Sequence, residues 1–269
     1  MSVTGLNWKT PMNKQPISLQ PGVITHIRFN RPEALNAIDS AMAKAFLDAC
    51  QATVADPDVR VIVLSGEGRA FMAGGDIAQF KSAPQSIADD LIQPLNQAML
   101  LLANCPAPVI ASVRGAAAGA GMSIVLASDF ALAAANSRFN FAYLSLGASC
   151  DLGASWHLPR LVGLRRALQI ALLGEPLDAE HACRVGIVNQ VVAVEELESA
   201  TQALAERLAH SSPVAQGQLK RLLRQAFDNT QAEQLDAEKA AFAACAQGAD
   251  FQEAVSAFLE KRPAQFKGR

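Results

Sequence analysis

The sequence predicts an α/β body over residues 1–192, followed by an all-helical region over residues 193–269. Three observations carry that expectation. Short apolar runs of strand character alternate with amphipathic helical stretches as far as residue 192, and four helical stretches then follow with no strand between them. The third is size: 269 residues, 51% apolar and 18% charged, can fill a sizeable core.

The first strand of the body, Val23 to Phe29 (VITHIRF), alternates in polarity and is broken by Asn30-Arg31-Pro32. Asp39 can cap the helix that follows, in which Met42, Phe46, Ala49, Cys50 and Thr53 recur at helical spacing. Val59 to Ser65 (VRVIVLS) then reads as a buried strand, and strand, crossover helix and strand in this order give a parallel β-α-β unit. The same signals recur in the helical run from Asp90 to Asn104 and the strand Pro108 to Val113. Ala117 to Ser128 is expected to be a helix leading to a short strand at Phe130 to Ala134. In the tail, Val194 to His210, Pro213 to Asn229, Ala232 to Ala246 and Phe251 to Lys261 read as helices. Asp250 and Glu253 are spaced as a capping box for the last, whose Val255, Phe258 and Leu259 line one apolar face.

Composition excludes several function classes. A formal net charge of −2 without a basic stripe argues against a nucleic-acid or polybasic membrane role. The five cysteines are odd in number and lack C-x-x-C spacing, which suits reduced thiols in a cytoplasmic protein. The opening, Met1 to Gly22, is polar with three prolines and has no apolar export signal or Arg-rich import helix. Gly115 to Ala135 is apolar and contains Gly115-x-x-x-Gly119, but Asp129 and the abundance of Ala, Gly and Ser make it a poor membrane span. Four scattered histidines show no metal-ligand spacing, and the sequence carries no G-x-S-x-G, Walker A or H-E-x-x-H pattern.

Two glycine-rich turns remain. Ala70 to Ile77 (AFMAGGDI) follows one buried strand, and Arg114 to Gly121 (RGAAAGAG) follows the next and runs into a helix. Ligands of open α/β sheets sit at such carboxyl ends, and a helix start built of small residues presents free backbone N–H groups. Either turn alone is explained by close packing. The pair supports a backbone oxyanion hole.

Five motifs, in order from about residue 17 to 269, resemble the crotonase (enoyl-CoA hydratase/isomerase) superfamily. They are Asn30-Arg31-Pro32-Glu33-Ala34-Leu35-Asn36-Ala37; Phe71-Met72-Ala73-Gly74-Gly75-Asp76-Ile77; Pro108-Val109-Ile110-Ala111 with Gly115 to Gly121; Ala179-Glu180-His181-Ala182 with Gly186-Ile187-Val188; and the tail Glu253 to Arg262. The resemblance implies a crotonase-like spiral of β-β-α turns, a C-terminal helical trimerisation region and acyl-CoA thioesters as substrates. It also implies a homotrimer or a hexamer made as a dimer of trimers, no metal, and no cofactor beyond the coenzyme A of the substrate.

Carried onto this chain, the resemblance places the oxyanion-hole amides at Gly75 and Ala120, and substrate contacts at Ala34, Leu35, Ala73, Asp76 and Ile77. Positions matching Phe258 and Lys261 reach the adenine end of CoA in the adjacent subunit. The two glutamates of hydratases fall on Ser123 and Tyr143, neither of which is a useful base near neutrality. Both also suit plain packing roles. Asp151, eight residues after Tyr143, stands where several isomerases carry a catalytic aspartate, and it could instead cap a helix starting near Gly153. Within the superfamily, the stretches Gly119-Ala120-Gly121 and Cys150 to Trp156 look most like the ring-epoxide isomerases of phenylacetate degradation and the Δ3,Δ2-enoyl-CoA isomerases.

The leading expectation is an acyl-CoA isomerase with Asp151 as acid/base. Alternatives are a hydratase-like enzyme with an atypical site, a dehalogenase using the same aspartate as nucleophile, and a non-catalytic acyl-CoA-binding protein.

Overall fold

The computed structural model of the chain describes residues 15–268, so most of the opening segment discussed above lies outside the described residues. Among the described residues nine strands form two sheets: β1 (Ile17–Gln20), β2 (Ile24–Phe29), β3 (Val61–Gly66), β4 (Val109–Val113), β5 (Ala116–Ala118), β6 (Phe130–Ala134), β7 (Arg138–Asn140), β8 (Leu177–Asp178) and β9 (Gln190–Val192). The large sheet runs β1-β2-β3-β4-β6-β9, antiparallel only at β1. The small sheet runs β5-β7-β8.

Isolated bridges from Ile38 to Gly75 and from Met72 to Ala117 add to the short-strand layer. Successive passes of the chain therefore lay one strand in the large sheet and one short stretch beside it. This is the expected spiral.

The body's helices are α1 (Ser40–Ala55), α2 (Ile77–Ser82), α3 (Gln93–Asn104), α4 (Ala120–Ala127), α5 (Ala154–Val162), α6 (Leu164–Leu173) and α7 (Ala179–Arg184). The tail supplies α8 (Leu197–Ala209), α9 (Pro213–Gln225), α10 (Gln231–Ala246) and α11 (Ala249–Leu259). Among the described residues no helix is long and apolar enough to cross a membrane.

Strand periodicity divides the core into two layers, because successive side chains point to opposite faces. Ile27, Phe29, Ile62, Leu64 and Ala111 face α1 and α3, where Phe46 and Phe71 pack on Phe29 at ring-centroid distances of 5.2 and 5.6 Å. Val61, Val63, Ile110 and Leu132 face the other way, against Leu197, Ala205 and Ala209 of α8. A sheet buried on both faces is why its strands read as nearly unbroken apolar runs. The first tail helix thus covers the sheet of the body.

One half-buried carboxylate fastens the next tail helix. Asp129 accepts a hydrogen bond from the Val109 amide at 2.8 Å and pairs with Lys220 at 2.8 Å and Arg224 at 2.7 Å, both on α9. Lys220 also donates to the carbonyls of Leu102 and Ala107, each at 2.9 Å. Burial pulls its ammonium below its ordinary range, and Asp129 opposes that pull.

Most expected elements form where the sequence placed them, and Asp39 does cap α1 by accepting from the Met42 amide at 2.8 Å. Two expectations need correction. The helix expected from Ala117 begins at Ala120, since Ala116 to Ala118 form β5 and pair with Arg138 to Asn140. Alanine obstructs neither conformation, so the partner strand decides, and Gly119 at φ 50° makes the corner.

The capping box at Asp250 and Glu253 is not formed: Gly248 occupies the N-cap of α11 without a side-chain bond. Asp250 is buried and accepts instead from the Ser212 hydroxyl and the amides of Lys267 and Gly268, while Glu253 pairs with Arg262. The capping box belongs to α10, between Thr230 and Glu233.

Replacing Asp129 by alanine leaves a lysine ammonium buried without its carboxylate. The expected cost is about 3–5 kcal/mol of stability, read as a lower urea midpoint with an unchanged slope.

Candidate active site

The site begins with a buried amide. Asn36 is fully buried, and its Oδ1 accepts from the Arg31 amide at 2.9 Å. Its Nδ2 donates to the carbonyls of Glu67, Ala70 and Phe71 at 3.0, 2.8 and 3.2 Å. The loop after β2 is thereby clipped to the loop after β3. Arg31 reinforces the clip by pairing with Asp39 at 2.9 Å and Asp76 at 3.0 Å, the N-cap residues of α1 and α2.

The clipped loops then form the bridge between Ile38 and Gly75. Ile38 donates to the Gly74 carbonyl at 2.8 Å and accepts from the Asp76 amide at 2.9 Å. A parallel bridge of this pattern uses the groups on either side of Gly75 and leaves the Gly75 N–H itself unused. The second turn arrives beside it: a Cβ on Gly74 would stand 3.3 Å from the Ala118 carbonyl oxygen, and one on Gly119 would stand 3.6 Å from Gly74 Cα. Ala120 is the first residue of α4, and its N–H has no acceptor one turn earlier.

Two unpaired backbone donors therefore sit on abutting turns. All eight residues of α4 are buried, which places the positive end of that helix in a low-dielectric setting. Gly121 is dictated by contact, because a Cβ there would lie 2.4 Å from the Met72 carbonyl oxygen.

Asp151 lies between a short turn at Leu144–Leu146 and α5. It does not cap α5, whose N-cap is Gly153 with no side-chain bond. Its carboxylate Oδ1 accepts instead from the Tyr143 hydroxyl. The Tyr143 hydroxyl is also 2.7 Å from Ser123 Oγ on α4, and Ser123 Oγ lies 3.2 Å from the Gly119 carbonyl. Each hydroxyl carries one proton and a carboxylate can only accept, so Tyr143 donates to Asp151, and Ser123 turns its single proton to the nearer of its two acceptors, the Tyr143 oxygen rather than the Gly119 carbonyl. Burial, then the Asp151 charge, push the Tyr143 phenol far above its ordinary range, so it stays protonated. Burial also raises the Asp151 carboxyl, and the bond from Tyr143 opposes that rise.

Ser123 and Tyr143, expected as substrate-lining or packing residues, are joined to Asp151 in one hydrogen-bonded series. Backbone strain marks the same places. Among the described residues five non-glycine positions have positive φ, and four of them, Leu35, Asn36, Ala142 and Leu152, lie in these loops. Such positions cost about 1–3 kcal/mol each and persist where surrounding structure over-determines them.

The remaining expected positions divide. Leu35 and Ala73 meet through a bond from the Ala73 amide to the Leu35 carbonyl at 3.0 Å, and Ala34 ends the turn just before them. The Asp76 side chain is occupied by Arg31 and by the Ala78 and Gln79 amides, so it builds the turn rather than facing it, and Arg31 and these amides hold its carboxyl below the usual range despite desolvation. Ile77 is exposed. Phe258 and Lys261 lie at the exposed end of α11, which packs on α10, and no hydrogen bond joins either to the cluster. Asn36 and Arg31 lie in a motif the sequence displayed, yet nothing in their types announced that one would clip two loops and the other two helix caps.

The chain belongs to the enoyl-CoA hydratase/isomerase family, whose model matches residues 20–269. It is similar to the 1,2-epoxyphenylacetyl-CoA isomerase of Escherichia coli (strain K12), 38% identical over 255 residues that cover 93% of this chain and 97% of that one. It is 37% identical to a protein of Rhodobacter capsulatus described as a probable enoyl-CoA hydratase, over 90% of this chain and 94% of the relative. Among solved structures, an enoyl-CoA hydratase from Polaromonas sp. JS666 superposes with a TM-score of 0.89 at 32% identity, covering 93% of this chain and 99% of that one. The protein is therefore an enzyme of this family, and its relatives carry both isomerase and hydratase names.

Changing Asn36 to aspartate keeps size but turns a carboxylate toward three carbonyl oxygens. A stability loss of about 3 kcal/mol or more is expected in denaturant unfolding. A change below about 1 kcal/mol would show that the loops hold together without this amide.

Proposed function

We propose that the protein is an acyl-CoA isomerase that moves a carbon–carbon double bond in an enoyl or ring-derived thioester. The observation that carries this reading is the site's single carboxylate: Asp151 stands beside Ser123 and Tyr143, two hydroxyls at the positions where hydratases of the family carry glutamates. Paired carboxylates that would handle a water and a C2 proton are replaced by one base with a fixed partner.

In this reading the thioester oxygen accepts from the Gly75 and Ala120 N–H groups. Asp151 takes a proton from C2 of a 3-enoyl thioester, giving a dienolate whose charge rests on the held oxygen. The same carboxyl returns the proton to C4, and the double bond ends between C2 and C3. A hole of two backbone donors stabilises the dienolate selectively, and loss of one such donor typically costs about 10²–10³ in rate. A carboxylate raised by burial is a stronger base than an ordinary one.

We further propose that the apolar tail surfaces are covered by copies of the same chain, in a homotrimer or a dimer of trimers. Phe258 and Leu259 are 82% and 74% exposed in the single chain, more apolar surface than one helix end ordinarily leaves in water. Phe266, by contrast, is partly covered by its own chain, near Ser212 and Phe251.

Incubating the purified protein with 3-enoyl-CoA is expected to produce the 2-enoyl thioester absorbance. Asp151→Asn keeps an acceptor for Tyr143 and removes the base, so turnover should fall by about 10²–10⁴ with thioester affinity nearly unchanged. Undiminished turnover in that variant would overturn the assignment; hydration without isomerisation would favour the hydratase reading, and binding without turnover a non-catalytic one. Deleting residues from Gly248 onward is expected to give smaller or aggregated species with weakened CoA binding. A truncated protein that stays trimeric by light scattering and binds CoA normally would contradict the tail's role.

A further inference from the structure

The bond from Tyr143 to Asp151 has a direction, a second anchor and a strained frame. Ser123 Oγ, fixed on the first turn of the buried helix α4, donates to the phenol oxygen and so turns the phenol proton toward Asp151. The Tyr143 ring is almost fully buried and meets Phe141 edge-on, with centroids 5.1 Å apart. Ala142, immediately before Tyr143, has φ 53°, and Leu152, immediately after Asp151, has φ 51°. Both partners are thus presented by backbone that an L-residue adopts only when its surroundings demand it. Among the described residues no side-chain donor meets the other carboxylate oxygen, Oδ2.

We propose that Tyr143 is a positioning residue for Asp151: oriented by Ser123, it holds Oδ1 and leaves Oδ2 as the oxygen that exchanges the substrate proton. The proposal rests on the reading of Asp151 as the base. Tyr143 itself exchanges no proton with the substrate. Its phenol is kept protonated by burial and by the neighbouring charge, so it serves as a permanent donor.

Two consequences separate this role from packing. With Oδ1 fixed, the carboxylate cannot swing about its last torsion, and one oxygen serves both the C2 and the C4 positions from a constant place. Donation to the charged form also opposes the rise that burial gives the Asp151 carboxyl. His157, on the first turn of α5, is pushed down to about 4 by burial and by the charges of Arg224 and Arg160.

Tyr143→Phe removes only the hydroxyl. On 3-enoyl-CoA its kcat is expected to fall roughly tenfold, the share of one hydrogen bond to a charged group, with KM nearly unchanged. The acid limb of kcat/KM should move to higher pH, because the active form is the carboxylate and it has lost a donor. Ser123→Ala leaves the phenol in place but unoriented, and should shift the limb the same way by less. An unshifted limb in Tyr143→Phe, alongside an inactive Asp151→Asn, would overturn the positioning role and leave the isomerase reading intact. An active Asp151→Asn would instead remove that reading itself. Where Tyr143→Phe fails to fold, Ser123→Ala decides: a limb and kcat equal to those of the parent would overturn the proposal.

Discussion

The amide of Asn36 does what no local propensity could: with one oxygen and two hydrogens it satisfies four backbone groups from two loops that the chain leaves more than thirty residues apart. Those loops would otherwise bury unpaired carbonyls, a cost of about 1–3 kcal/mol for each group left without a partner. Because they are closed against each other, Ile38 meets the Gly74–Gly75 turn in register. Because that register is parallel, one N–H is left over and aimed outward. The unpaired donor of the site is a by-product of correct pairing on both sides of it.

A division of labour follows between backbone and side chains. The backbone presents the two free donors, positioned by close approach between turns that tolerate no Cβ where they cross. Such donors need no reorganisation when charge develops on an oxygen held against them, which is what the proposed oxyanion hole would use. Side chains supply what differs among members of one family. On this scaffold Ser123, Tyr143 and Asp151 form a directed series that ends on a single carboxylate. The scaffold accepts the series because Ser123 rides on the same helix whose first residue contributes a free N–H. The free N–H and the carboxylate are thus set relative to one another through one buried helix of eight residues.

Much of this was legible before any coordinates. Apolar runs identified the parallel strands, since burial on both faces leaves little room for polar residues. Small residues in two turns marked the places of close approach. The tertiary links were less visible. Ala116 to Ala118 form a strand only because Arg138 to Asn140 pass alongside, and nothing in three alanines records that. Asp250 has the spacing of a capping box, yet the amides of Lys267 and Gly268 return to claim it. Tyr143 and Asp151 stand eight residues apart in the sequence, but their bond depends on two left-handed residues, Ala142 and Leu152, whose side chains carry no hint of that conformation.

The covering of the large sheet by α8 bears on how this chain reaches its native state. Strands β2, β3 and β4 are complete by residue 113, but the apolar face made by Val61, Val63 and Ile110 gains its partners only when Leu197 to Ala209 arrive. The Arg60 guanidinium records that distance directly, donating to the carbonyl of Ala209 at 3.0 Å across 149 residues. Closing contacts of such long sequence separation is slow, and an uncovered apolar sheet is adhesive in the meantime. During synthesis the nascent body is therefore one-sided for nearly a hundred residues, and that interval is the stretch of biogenesis in which assistance from a chaperone has the most to protect.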